Sequence, residues 1–218
     1  MIFEKINSFS NKLNRFIPGA LCGLLSITFG FLGDLIAYLM YPGYDLTRRA
    51  VSSLCLGPGG VFFQIGNVIS GVFALFFVIY LSRTINREDI SDNLIRTTII
   101  FAIISCVCFI FLGAFCGSNP IIALIHGVFA MLSWQTGLFY ITLFNILLLY
   151  DSKYPKSLAF FGFLVSFTLI LLMILFYLHL LPSLRFLMRI LPSLEWINTI
   201  GVILWYLIIS LYMIWKKI

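Results

Sequence analysis

Two ionisable side chains lie inside long apolar stretches of the sequence, Asp34 in the first stretch and His126 in the fourth. A carboxylate in hydrocarbon costs about 2 to 3 kcal/mol on insertion scales, so such a group is neutral, paired or functional. If the protein is an enzyme, we predict that His126 is a general base for an ester or phosphoester bond and that Asp34 orients it or acts as the acid. Otherwise Asp34 pairs with Arg48, Arg49 or His126, and His126 hydrogen-bonds between helices.

A polar loop after the first apolar stretch carries the second group of candidate residues. With the start of the next stretch it reads YPGYDLTRRAVSSLCLGPGGVFFQIGNVISG, residues 41–71. The guanidinium forks of Arg48 and Arg49 suit phosphate oxygens, so with Tyr44 and Asp45 they are predicted to bind a phospholipid or polyprenyl-phosphate headgroup. The alternative is that the arginines pair with Asp45 and with headgroups nonspecifically.

No motif for covalent catalysis or for a bound cofactor accompanies these residues. GPGG at residues 57–60 lacks the Lys and Ser/Thr of a phosphate-binding loop and is interpreted as a turn. No nucleophile elbow surrounds Ser53 or Ser133, so an esterase would need one of them to meet His126 in space. The sequence predicts no metal and no cofactor, and it leaves open whether the protein is an enzyme.

The composition indicates a membrane protein. Apolar residues make up 61% of the 218 residues and charged residues 10%, and the mean hydropathy is +1.08. No soluble domain could cover its surface with so few polar side chains, so the solvent must be lipid. The net charge of +6 comes from basic residues that flank apolar segments rather than forming one basic face, which argues against nucleic-acid binding.

The apolar pattern predicts an all-α polytopic protein with six transmembrane helices in one bundle. Each segment is long enough to cross about 30 Å of hydrocarbon. The predicted segments are residues 16–41, 60–82, 94–117, 120–149, 155–181 and 194–215. Residues 1–15 are predicted to form an amphipathic interfacial helix ahead of the transmembrane domain at 16–218, and residues 182–193 a short interfacial helix.

The basic residues predict which side of the membrane each end occupies. One side would hold Lys5, Lys12, Arg15, Arg83, Arg87, Arg96, Lys153, Lys156, Lys216 and Lys217, and the other only Arg48, Arg49, Arg185 and Arg189. By the positive-inside rule both termini are predicted to be cytoplasmic, and the expected location is the plasma membrane. Cys55 and Cys116 then share the external face, where a disulfide between them is one option, and Cys22, Cys106 and Cys108 stay reduced.

This orientation places several polar residues at one depth. Asp34, Gln64, Asn67 and His126 all lie roughly 6 to 11 Å inside the external boundary at 1.5 Å per residue. Small residues at helical spacing share their faces: Gly19, Gly23, Ser26 and Gly30 with Asp34, Gly60, Gly71 and Ala74 with Gln64 and Asn67, and Ala130, Ser133 and Gly137 with His126. These stripes predict an outward-facing polar pocket, with Gln64 and Asn67 either binding ligand or joining helices. The same Gly/Ser stripes could bind a second copy or a membrane partner. His179, Glu195 and Asn198 are interpreted as boundary residues that reach to water.

The run of YPGYD, VSSL, GPGG and FQIGNVISG, with His126 opening the fourth segment, resembles a family of uncharacterised prokaryotic six-helix membrane proteins of unknown function. That family is distantly akin to eukaryotic membrane proteins of the DRAM and Sfk type. The chain departs from the family's Ser-x-Leu-Gly pattern, since Cys55 follows Leu54. The resemblance implies the six-helix fold and, by analogy with the eukaryotic kin, a role connected with membrane lipids.

Three functions therefore remain in view. The first is an integral membrane protein whose outward-facing pocket binds or processes a lipid headgroup or a lipid-linked phosphate, with membrane lipids as partners. The second is a structural or accessory subunit of a membrane complex. The third is a small secondary transporter, although no inverted repeat relates the two halves of the chain.

Overall fold

The computed structural model describes residues 18–86 and 90–218 and is all-α over these ranges. The long helices are α1 (Gly19–Leu39), α2 (Gly60–Thr84), α3 (Asp92–Ala114), α4 (Pro120–Tyr150), α5 (Lys156–Leu178) and α6 (Leu191–Lys216). Two 3-10 helices, Val51–Leu56 and Pro182–Arg189, lie in the loops before α2 and α6. The amphipathic helix predicted over residues 1–15 lies outside the described residues.

Each of the six helices is long and apolar enough to cross a membrane. Large apolar side chains cover the outside of the bundle, including Leu124 at 69% and Phe160 at 64% exposure. A protein with this surface is stable in lipid and not in water. The chain is therefore an integral membrane protein, and the six predicted segments are confirmed within the described ranges. The cytoplasmic position of the termini stays a prediction.

The boundaries of two helices follow from prolines. α4 begins at Pro120, and the Asn119 side-chain oxygen accepts a hydrogen bond from the Ile121 N–H at 2.9 Å. α6 begins at Leu191, three residues before the predicted start, because Pro192 is tolerated in the first helical turn. The interfacial helix predicted over 182–193 is accordingly shorter, a 3-10 helix at Pro182–Arg189.

The six helices form a closed ring in chain order. Each helix packs against the next one along the chain, and α1 packs against α6. Consecutive helices run in opposite directions, so the connections alternate between two ends of the ring. We call the end with residues 40–59, 115–119 and 179–190 the loop end, and the end with residues 151–155 and the carboxyl terminus the terminal end.

The half of the ring next to the terminal end is filled by a packed apolar core. Its largest fully buried side chains include Phe77, Phe144 and Trp205. The Trp205 Nε1–H donates to Asn145 Oδ1 at 3.0 Å, so the indole is buried without an unpaired donor. This core closes the ring between its midpoint and the terminal end.

α1 and α2 approach most closely at Gly33 and Gly66. A Cβ atom on Gly33 would lie 2.7 Å from the Phe62 carbonyl oxygen and 2.9 Å from Gly66 Cα. These neighbours are backbone atoms that no rotamer change can move, so only glycine permits this crossing. Asp34 and Asn67 follow these two glycines directly in the sequence.

The loop end is fastened by one disulfide bond and by hydrogen bonds. Cys55 and Cys116 are bonded, with their Cα atoms 6.0 Å apart, which joins the 3-10 segment Val51–Leu56 to the end of α3. The Trp196 Nε1–H of α6 donates to the Arg49 carbonyl oxygen at 3.1 Å. Cys22, Cys106 and Cys108 are free and buried, as predicted.

Candidate functional site

A cavity of about 350 Å³ lies inside the ring towards the loop end. All six helices and the segment Val51–Leu56 contribute to its wall. Its carboxyl, imidazole and amide side chains, which lie nearest the loop end, are those of Asp34, Asn67, His126, Glu195 and Asn198. Its volume falls in the range of small-molecule sites.

Asp34 is buried at 8% exposure and faces the cavity from α1. Asn67 of α2 donates its side-chain N–H to Asp34 Oδ1 at 3.3 Å and to the Phe63 carbonyl oxygen at 2.8 Å. The Gly33–Gly66 crossing brings these two side chains together, because each is the next residue in its helix. Asn67 thus joins α1 to α2 and also lines the cavity.

Glu195 is the second buried carboxyl group of the cavity, also at 8% exposure. The Ser52 backbone N–H donates to its Oε1 at 3.1 Å, which ties the 3-10 segment to α6. Asp34 and Glu195 lie close enough to interact electrostatically. A membrane cavity therefore contains two carboxyl groups contributed by opposite ends of the chain.

His126 of α4 is held by its Nδ1 atom. This nitrogen lies 3.0 Å from the Leu112 carbonyl oxygen and 3.1 Å from the Phe115 carbonyl oxygen. Both neighbours can only accept a hydrogen bond, so Nδ1 carries the proton and Nε2 of the neutral ring is an acceptor. The two carbonyl groups orient the ring, and Asp34 bonds to Asn67 instead.

Hydroxyl groups line the deeper part of the cavity and are satisfied within the protein. Ser26 and Ser70 share a hydrogen bond at 3.2 Å, and the Ser105 hydroxyl donates to the Ser133 carbonyl oxygen at 3.0 Å. Tyr140 and Tyr206 share a further bond between their hydroxyl groups at 3.1 Å. Because these hydroxyl groups are already hydrogen-bonded to each other or to the backbone, an apolar chain can contact them without leaving a donor unpaired.

The predicted loop residues lie outside this cavity. Arg48 forms an exposed ion pair with Asp45 at 3.5 Å, and the Arg49 guanidinium lies over the Tyr41 ring, 5.0 Å from its centre. Hydrogen bonds from the Thr47 hydroxyl and backbone N–H hold the pKa of Asp45 below its usual value.

Tyr44 belongs to the same loop and supports its shape. Burial raises the pKa of its phenol, whose hydroxyl donates to the Ala50 carbonyl oxygen at 2.6 Å. Because Ala50 lies between the two arginines and Ser52, Tyr44 supports the loop from which the 3-10 segment enters the cavity wall. Its ring and hydroxyl contact this loop, Tyr38 of α1 and Trp196.

Gln64 and the two candidate nucleophiles are engaged elsewhere. The Gln64 side chain donates to the Cys116 carbonyl oxygen at 2.8 Å and does not line the cavity. The Ser53 hydroxyl donates to the Ala50 carbonyl oxygen at 2.7 Å, and the Ser133 hydroxyl donates to the Ser105 carbonyl oxygen at 3.3 Å. The structure thus unites Asp34, Asn67 and His126 from the predicted set, and adds Glu195.

Sequence reasoning interpreted Glu195 as a boundary residue that reaches to water. It is instead buried, because the segment Val51–Leu56 folds back from the first loop and covers it. Asn198, one turn later, is buried at 5% exposure and faces the same cavity. The three-residue spacing of two polar side chains at the start of an apolar segment was a signal for this face.

The model of a family described as "Protein of unknown function (DUF998)" matches residues 23–213. The match covers all six helices almost completely and agrees with the uncharacterised six-helix family that the sequence resembles. No curated protein and no solved structure shows a significant match to the chain.

Proposed function

Because the chain belongs to the DUF998 family, whose function is unknown, its role must be argued from the cavity, and we propose that it binds the head of a membrane lipid there. The head lies at the loop end among Asp34, His126 and Glu195, and the acyl chain extends towards the membrane centre. The distant kinship with the DRAM and Sfk type of protein is a separate proposal that points in the same direction.

One observation carries the proposal, namely the change in polarity along the cavity. The carboxyl, imidazole and amide side chains are at the loop end, while Ala74, Ile141 and Leu169 with hydrogen-bonded hydroxyl groups line the deeper part. A lipid of one leaflet has the same arrangement, a polar head above an apolar chain. A soluble polar solute would leave the deep part of the cavity without a matching partner.

Arg48 and Arg49 extend the proposed site outwards. They precede Ser52 of the cavity wall by four and three residues, and both are exposed at the loop end. Guanidinium groups at the level of the headgroups attract phosphate oxygens. We therefore propose that the arginines contact the lipid phosphate while the cavity contains the outermost part of the head.

The disulfide supports an external position for the loop end. Disulfides persist in oxidising compartments and are rare in the cytosol. The bond between Cys55 and Cys116 lies at the end of the ring that carries the fewer basic residues. Two independent physical arguments, charge and redox chemistry, thus favour the same orientation.

Lipid binding is favoured over transport and over hydrolysis by the surroundings of the cavity. The core around Phe77, Phe144 and Trp205 fills the ring below it and leaves no path onward among the described residues. Ser133, the candidate nucleophile in the wall, already donates its hydroxyl proton to a carbonyl oxygen. The glycines of α1 face neighbouring helices of the same chain, as at Gly23, whose Cβ would meet Ser210 and Phe77.

Native mass spectrometry with lipid extraction tests the proposal. The wild-type protein purified in mild detergent is compared with Asp34→Asn, His126→Ala and the double variant Arg48→Ala/Arg49→Ala. The matched control is Arg185→Ala/Arg189→Ala, since these arginines are also exposed at the loop end but belong to a different loop, residues 179–190, which contributes no residue to the cavity wall. We expect one co-purified lipid that is lost from the first three proteins and kept by the control.

Bulk lipid without selectivity, unchanged in all the variants, would refute a specific site. That result would favour the accessory-subunit hypothesis, because the cavity would then have only a packing role. Loss of the lipid in the control as well would show that the arginines act through general surface charge.

A further inference from the structure

The loop end of the cavity contains two carboxyl groups and an imidazole, beside the amides of Asn67 and Asn198. Asp34 and Glu195 present carboxyl groups, and neither lysine nor arginine is among the described residues that line the cavity. Among the described residues, the Asn67 side chain donates to the Asp34 carboxyl group, and Ser52 donates to Glu195 from its backbone N–H and its side chain. A carboxylate has about four acceptor sites, so most of this capacity is unused.

His126 adds a further acceptor from the opposite side of the ring. Its Nδ1–H is occupied by the Leu112 and Phe115 carbonyl oxygens, which leaves the Nε2 lone pair for the cavity. The ring is fixed by backbone atoms of α3, so its acceptor is in place before any ligand binds. Three acceptors from α1, α4 and α6 therefore surround the same space.

Buried acceptors without donors are costly in a membrane. Asp34 and Glu195 are each 92% buried, and no described residue donates a hydrogen bond to Asp34 Oδ2. An unpaired buried polar group costs free energy that a matching ligand recovers on binding. A ligand that brings hydrogen-bond donors would pair with the carboxyl oxygens that face the cavity, and cationic N–H donors also match the negative charge of two carboxylates.

We propose that the cavity recognises a primary ammonium group, which lies between Asp34 and Glu195 with His126 Nε2 as a third acceptor. This inference rests on the proposed lipid site and names the chemistry of its ligand. An ammonium group has three N–H donors and no acceptor, which complements three acceptors. An aminophospholipid would bring this group on a phosphate that Arg48 and Arg49 can contact.

The same chemistry distinguishes primary amines from methylated ones. A trimethylammonium group has no N–H and is normally recognised by aromatic faces. Aromatic residues line the cavity at several depths, among them Phe63 and Phe176 at the loop end and Trp134 deeper, so the aromatic wall does not distinguish the two headgroups. The carboxyl groups and His126 Nε2 present acceptors that a trimethylammonium group, without an N–H, cannot use, which favours the primary ammonium group.

A methylation series on the wild-type protein tests the inference without any substitution. Delipidated protein is titrated by native mass spectrometry with dioleoyl lipids carrying ethanolamine, dimethylethanolamine, choline or glycerol headgroups. We expect affinity to fall with each loss of N–H, by about tenfold or more between ethanolamine and choline, since hydrogen bonds to charged groups contribute at this level. Choline or glycerol lipid binding as tightly as the ethanolamine lipid would overturn the inference and leave the lipid site standing.

Isosteric variants assign the recognition to the two carboxyl groups. Asp34→Asn and Glu195→Gln should each weaken binding of the ethanolamine lipid about tenfold and flatten the methylation series. The control is Asp92→Asn, an exposed carboxyl group at the start of α3, at the far end of the ring from the cavity. Unchanged selectivity in both cavity variants would overturn the inference.

An experiment with a water-soluble amine distinguishes a lipid headgroup from a free amine as the source of the ammonium group. Free ethanolamine is added to wild-type, Asp34→Asn and Asp92→Asn protein, and the thermal midpoint is measured. A wild-type shift that Asp34→Asn loses, with no selective lipid binding, would support amine recognition and refute the lipid site. No binding of either the lipid or the free amine would overturn both proposals.

Discussion

Replacing glycine by alanine is predicted to have opposite effects on stability at Gly33, where α1 and α2 cross, and at Gly201 of α6. A Cβ on Gly33 would stand 2.7 Å from the Phe62 carbonyl oxygen, about 0.7 Å short of the 3.4 Å at which ordinary contact begins. A Cβ on Gly201, in the interior of α6, would lie 3.6 Å from the nearest atom, Val165 Cγ2. Alanine thus forces two helices apart at Gly33 and fits at Gly201.

The magnitudes follow from two opposing terms. Overpacking costs about 1 to 3 kcal/mol, and alanine in a helix gains about 0.5 to 1 kcal/mol over glycine. Gly33→Ala should therefore lower the free energy of unfolding by about 1 kcal/mol, and by about 2.5 kcal/mol at most. Gly201→Ala should raise it by up to about 1 kcal/mol, because only the helix term remains.

The assay is unfolding of both variants in the same mixed micelles, followed by circular dichroism against the fraction of denaturing detergent. Lipid binding gives a second readout, since separation at Gly33 stretches the 3.3 Å hydrogen bond from Asn67 to Asp34. Equal changes of the same sign in both variants would refute the close crossing. A destabilised Gly33→Ala with wild-type lipid binding would show that the crossing does not position the site.

Three further predictions concern the loop end and the terminal end. In intact cells, an impermeant maleimide should label Cys55 and Cys116 only after an impermeant reductant is added, because the disulfide is expected to lie outside the cell. Labelling that requires permeabilised cells would reverse the topology. Trp196→Phe removes the donor to the Arg49 carbonyl oxygen and should cost about 0.5 to 1.5 kcal/mol, with faster protease cleavage in residues 41–59. Burial raises the pKa of Tyr154, so its contribution to stability is complete below about pH 10 and is lost as pH rises through the raised value. Tyr154→Phe should show a shallower loss of thermal midpoint above about pH 10 than the wild type, and parallel curves would contradict this.

The candidate site was only partly accessible to sequence reasoning. Asp34 and His126 were identified because an ionisable group in the middle of an apolar segment is visible in one dimension. Glu195 stands close to a segment boundary, where distance along the chain predicts contact with water. Its burial depends on the segment around Ser52, which lies more than a hundred residues earlier in the chain. Contacts of that kind leave no local pattern.

The same limit applied to the helix contacts. Spacing predicted that Gly19, Gly23 and Gly30 mark the inner face of α1, and each of them faces another helix. The closest approach is nevertheless at Gly33 and Gly66, which the predicted stripes did not include. A stripe of small residues shows that helices can approach, whereas the crossing point depends on the tilt and rotation of both partners.

By itself the sequence determined the membrane environment, the number of helices and most of their boundaries, because hydrophobic length and proline positions are local properties. The tertiary structure decided the closed ring, the bond between Cys55 and Cys116, and the separation of the cavity from the arginine loop. It also placed Glu195 in the wall of the cavity beside Asp34, Asn67 and His126, and left Gln64 and the two arginines outside it. The physical reason is that the chemistry of a cavity depends on which side chains line it. Tertiary packing brings those side chains together from distant parts of the sequence.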